Sequence, residues 1–109
     1  ILHEREIKNM RLISYDFETD IPYENVIVSL KPSVELYRTI YKVIAYLPSL
    51  EDDGYWVLGK YLTESKAKMI MKLMRNACLS GETIFQFPFD DDVAQKYKKK
   101  FAQRGNNSC

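Results

Sequence analysis

The sequence predicts an α+β domain. The expected architecture is an antiparallel sheet of four to five strands in the order β-β-β-β-α-β-α, packed by one amphipathic helix, with a second helix at the C-terminal end. Three observations carry this. Runs rich in β-branched and aromatic residues come first and follow one another directly, which favours hairpins over βαβ units. Residues 64–80 repeat apolar side chains every three or four positions. The composition is that of one globular unit: 109 residues, 46% hydrophobic and 28% charged.

The elements follow in order. Residues 1–9, ILHEREIKN, have two readings. Back-translated, Glu4-Arg5-Glu6 fits a purine run of ribosome-binding type, and Ile7-Lys8-Asn9 fits an A-rich spacer before a start at Met10. Residues 1–9 are then a translated leader; otherwise they form a short extension with a helical turn. Arg11–Tyr15 reads as a strand, and 16–24, with Pro22, as a turn. Val26–Leu30 reads as a second strand, broken at Lys31-Pro32-Ser33. Val34–Leu47 reads as a third. In it Tyr41, Val43, Ala45 and Leu47 share one face, and Ile40, Lys42, Ile44 and Tyr46 the other. Pro48 to Gly54 is a loop whose Asp53-Gly54 marks a turn, and Tyr55–Leu62 is the return strand of the best-marked hairpin.

Thr63 is a favourable N-cap, with Glu64 placed well for the helix dipole. The helix stripe is Ala67, Ile70, Met71, Met74, Ala77 and Cys78, with Lys66, Lys68, Lys72, Arg75 and Asn76 on the wet side. Gly81 suits the position that ends it. Thr83–Phe87 is a short strand stopped by Pro88. Asp90 is expected to cap a last helix over 91–103, striped by Val93, Tyr97 and Phe101 with Ala94 alongside. The domain then spans 10–104, with a frayed tail over 105–109.

Chemistry is limited by inventory. The one histidine is His3, so zinc sites and Ser–His or Cys–His nucleophiles lack their parts. Of the two cysteines, Cys78 is expected buried as a small hydrophobe, and Cys109 is terminal. No catalytic residue, metal or cofactor is expected, and the chain is read as a non-enzyme. No apolar run is long enough to span a membrane, and residues 1–9 lack the apolar core of a signal peptide. A cytoplasmic location without membrane contact is expected.

Asp16 and Glu18 in LISYDFETD need separate attention, because the stretch resembles the first motif of DnaQ-like 3′–5′ exonucleases. In that family such acids hold two divalent ions that activate water. The family's further acids and its His- or Tyr-x-x-x-Asp motif do not occur here. A metal-dependent nuclease is a remote alternative to an exposed acidic turn. Asp16, Glu18 and Asp20 also alternate as in a calcium loop, but Ile21 and Ile27 stand where Gly and Glu belong. Glu51–Asp53 and Asp90–Asp92 read as turn and cap chemistry.

Two binding features stand out. The net charge is +1, yet Lys96, Lys98, Lys99, Lys100 and Arg104 give residues 93–109 a charge of +5, which leaves −4 for residues 1–92. These cations beside Tyr97 and Phe101 offer weak nucleic-acid binding as one alternative. Aromatics reach 13%, with eight tyrosines, and gather around the hairpin. Tyr37, Tyr41, Tyr46, Tyr55 and Trp56 are the expected anchors for a protein partner or a second copy, through an exposed aromatic sheet face.

Met10-Arg-Leu-Ile-Ser14, Asp20-Ile-Pro-Tyr-Glu24, Tyr61-Leu-Thr-Glu-Ser-Lys-Ala67 and Phe85-Gln-Phe-Pro-Phe-Asp-Asp-Asp-Val93 carry a resemblance. The chain resembles a loose group of small prophage and mobile-element proteins of Gram-positive gut bacteria. The group has no established activity, so the resemblance transfers no catalytic residue. It implies a cytoplasmic, phage-associated accessory protein, and it supports Met10 as the start.

Overall fold

The computed structural model describes residues 10–48 and 54–93. It is α+β, with two three-stranded sheets in place of the single antiparallel sheet expected. The strands are β1 (Arg11–Ile13), β2 (Asp20–Pro22), β3 (Ile27–Glu35), β4 (Arg38–Tyr46), β5 (Trp56–Tyr61) and β6 (Ile84–Gln86). One helix, α1 (Glu64–Leu79), lies between β5 and β6 in the chain. The first sheet has the order β2-β1-β6, with β1 antiparallel to β2 and parallel to β6. The second is an antiparallel meander, β3-β4-β5.

The 16–24 turn therefore contains a strand. Arg11 Nε donates to Asp20 Oδ1 at 2.8 Å, an exposed bridge between β1 and β2. The expected break at Lys31-Pro32-Ser33 is also corrected, since β3 runs through it with Pro32 opposite Tyr41. Glu35 and Arg38 flank a two-residue turn and so form a hydrogen-bonded pair. Counting back, Pro32 falls at a site whose nitrogen faces the free edge of the sheet. A proline there removes no ladder bond and blunts an exposed edge.

Helix α1 follows its sequence signals at both ends. Thr63 Oγ1 accepts from the Lys66 N–H at 3.2 Å. Gly81 takes φ +82°, and the Gly81 and Glu82 N–H groups donate to Cys78 and Ala77 carbonyls at 3.1 and 3.0 Å. These are the paired bonds of a Schellman end. The buried stripe is Ala67, Ile70, Leu73, Met74 and Ala77. It is centred on the Leu73 side of the expected one, so Met71 and Cys78 fall on its rim. Cys78 is exposed, contrary to the buried reading.

The helix packs on β4 and β5. Val43, Ala45, Leu58 and Tyr61 join it in one buried cluster with Met10, Leu12, Ile21, Phe85 and Phe87 from the first sheet. A bulge aids this. Val43 pairs with Gly59 but Ile44 with Val57, so Leu58 has no partner on β4. The Leu58 carbonyl instead accepts from the Tyr15 N–H at 2.9 Å, which joins the two sheets. The Tyr61 ring lies against Gly59, and its hydroxyl donates to the Pro88 carbonyl at 2.9 Å. Burial pushes the Tyr61 phenol well above its ordinary pKa, so it stays a donor.

With Phe89 at the N-cap position and no side-chain cap bond among the described residues, Asp90 opens a 3-10 turn, Asp90–Asp92, that passes into helical backbone at Val93. Its carboxylate accepts from the Leu62 N–H at 2.9 Å and from Lys66 Nζ at 3.0 Å, tying this segment to the start of α1. The expected C-terminal helix lies outside the described residues from position 94 on, as do residues 1–9 and Asp53 of the Asp-Gly turn.

Candidate functional site: an exposed hairpin tip

The β3–β4 hairpin is the longest paired element, with nine register pairs from Ile27↔Tyr46 to Glu35↔Arg38. The pairing of β5 reaches only as far as Tyr41↔Tyr61. The pairs Ser33↔Ile40, Val34↔Thr39 and Glu35↔Arg38 therefore extend beyond the third strand. The face toward the helix shows the same boundary. Along it Val28 and Leu30 are half-buried, while Pro32 and Val34 are exposed.

Two residues, Leu36 and Tyr37, make the turn. Both sit at positive φ, 53° and 66°. A two-residue hairpin of this hand needs left-handed backbone at both positions, and Asn-Gly is the sequence that supplies it most cheaply. Bulky side chains there cost about 1–2 kcal/mol per residue. Among the described residues no burial of these side chains offsets that cost, since Leu36 is 91% and Tyr37 103% exposed, with Val34 75% exposed beside them. Below the tip, Lys42 Nζ and Lys60 Nζ lie 2.9 and 3.6 Å from the two carboxylate oxygens of Glu35. The Lys42 contact, foremost, lowers the Glu35 pKa.

The five expected anchors do not share one surface. Tyr37 is at the tip. Strand alternation and register put Tyr41 and Trp56 on the helix side, where Tyr41 packs half-buried against the core. Tyr46 and Tyr55 lie on the opposite face, where Lys31 Nζ stands 5.6 Å from the Tyr55 ring centroid. Sequence reasoning missed Leu36 and Val34. The turn carries no Gly, Asn, Asp or Pro, so no ordinary turn signal marked it. The alternative cations Lys96, Lys98, Lys99, Lys100 and Arg104 lie outside the described residues.

Asp16 and Glu18 form part of a tight loop between β1 and β2. Asp16 Oδ1 accepts from the buried Ser14 hydroxyl at 2.6 Å and from the Glu18 N–H at 3.1 Å. Ser14 Oγ accepts in turn from the Thr19 N–H at 3.0 Å. Among the described residues, no three His, Cys, Asp or Glu side chains gather into a group that could hold a metal ion.

The Ser14 hydroxyl, then the Glu18 N–H, hold the Asp16 carboxyl below its ordinary pKa. A carboxyl depressed in the fold stabilises it above the unfolded pKa, and that contribution is lost as pH falls through the folded value. An NMR titration is expected to place Asp16 below the usual carboxylate range. In Ser14→Ala its midpoint rises, and an unmoved midpoint would refute the assigned cause.

Comparison of the chain with protein-family models, curated proteins and solved structures finds no match. Among the described residues, no helix is long and apolar enough to cross a membrane.

Proposed function

We propose that this chain is a non-enzymatic interaction protein that inserts the tip of its β3–β4 hairpin into a protein partner, with Leu36 and Tyr37 as the anchoring side chains. One observation carries the reading: two large apolar residues occupy left-handed positions at full exposure, where a polar Asn-Gly turn would be more stable. Backbone strain of this kind points to a functional demand on the side chains it presents. Tyrosine is a favoured anchor because it brings large contact area with little rotamer entropy. In keeping with the resemblance to mobile-element proteins, the proposed role is that of a cytoplasmic accessory protein.

The test compares the 109-residue chain with a Leu36→Asn/Tyr37→Gly variant, each immobilised and exposed to lysate of a Gram-positive gut bacterium with and without nuclease treatment. A stoichiometric protein held by the wild type and lost with the folded variant is the expected result. Equal capture by both, or capture that vanishes with nuclease, overturns the reading; the latter directs attention to the C-terminal lysines. Light scattering covers the case in which the partner is a second copy.

A further inference from the structure

The face of the second sheet turned away from α1 carries an unusual row. Lys31 pairs with Lys42, and Lys42 with Lys60, so three lysines stand side by side across all three strands. Like charges directly opposite one another destabilise a sheet. Here the fold places two such contacts in succession, and one carboxylate, Glu35, serves both Lys42 and Lys60. Among the described residues, Lys31 stands against the Tyr55 ring, 5.6 Å from its ammonium to the centroid. Arg38, opposite Glu35, adds a fourth cation on the same face. Asp16 lies near enough to Lys60 to feel its charge. Even so, among the described residues the face is basic, in a chain whose net charge is only +1.

Aromatic surface accompanies the charge. Tyr55 is exposed and Tyr46 half-buried. Register puts Tyr46 on the same face as Lys42, and the Lys31 contact puts Tyr55 there too. Ile44, on the strand between Lys31 and Tyr55, is only 6% exposed.

We propose that this face binds single-stranded nucleic acid, with phosphates at the exposed Lys31 and the half-buried Lys60, Lys42 held between them by Glu35, and a base stacked on Tyr55 beside Tyr46. The site stands independently of the hairpin tip. Cations laid in a line match a phosphate backbone, and an exposed ring next to them offers every base a π-face without regard to sequence. A duplex hides its bases, so cations beside an exposed ring favour an unpaired strand.

The test is fluorescence anisotropy of the 109-residue chain with a labelled oligothymidylate, a duplex of equal length and heparin, at two salt concentrations. Oligothymidylate is expected to bind and to lose affinity steeply with salt. Tyr55→Ala weakens it about tenfold. Lys31→Thr weakens it several-fold and lowers the salt slope by about one, while leaving the melting temperature unchanged or raised, because a repulsive pair is removed. Absence of binding at low salt overturns the proposal. So does wild-type affinity in both variants, which would place the site elsewhere, on Lys96–Lys100 for example. Preference for duplex, or heparin binding as tight and as indifferent to Tyr55, also overturns it.

Discussion

Replacing Gly59 by alanine is expected to destabilise the fold by about 3 kcal/mol, the sum of an overpacking term and a weakened buried hydrogen bond. A methyl group at position 59 would stand 2.7 Å from Cε2 of Tyr61. Tyr61 is fully buried and its hydroxyl is committed to the Pro88 carbonyl, so the ring has little freedom to retreat. Alanine is otherwise the better strand residue, because it loses less backbone entropy than glycine. A loss of stability therefore reads the clash directly. Denaturant unfolding of the single variant, and of the same change in a Tyr61→Leu background, separates the effects. The cost is expected to fall below about 1 kcal/mol once the ring is gone. An equal cost in both backgrounds would show that the strand, and not the ring, sets it.

The second large effect has the opposite sign. Leu36→Asn/Tyr37→Gly is expected to stabilise the isolated protein by about 2 kcal/mol, through relief of two left-handed bulky residues. For a chain of this size that raises the melting temperature by roughly 10 °C. Neither side chain buries surface in the fold, so no packing is lost in exchange. A variant that is more stable yet no longer binds is the signature of a site held against the interest of the fold. A melting temperature that falls would instead show that Leu36 or Tyr37 supports the hairpin.

Some of this was legible in the residues and some was not, for physical reasons. Helix α1 was legible because three local signals agree: the Thr63 cap, the three-to-four spacing and Gly81. The β4–β5 pairing followed from alternation, but its bulge at Leu58 did not, since register is a property of two strands. The same reason hid the lysine row, whose members are scattered over positions 31 to 60 and meet only by pairing. The β3–β4 turn was missed because Leu36-Tyr37 opposes the local rule, and such violations collect at functional positions. The proline rule misled at Pro32, where an edge position makes it harmless. The tie of Asp90 to Leu62 and Lys66 was not legible either, since these partners lie more than twenty positions away.

The parallel pairing of β1 with β6 also bears on how the chain folds. Arg11 and Ile84 stand opposite each other although 73 positions separate them, whereas Glu35 and Arg38 meet across two residues. Closing the longer loop costs chain entropy that only the assembled core can offset. We therefore expect the β3–β4 hairpin and α1 to organise the rate-limiting step, with the first sheet zipping up afterwards. Core truncations in β1 and β6, such as Leu12→Ala and Phe85→Ala, then accelerate unfolding and leave the folding rate nearly unchanged in stopped-flow experiments. Slowed folding in either would reverse this order. On this view the first sheet is the clasp of the molecule, the first part to open when it is stressed.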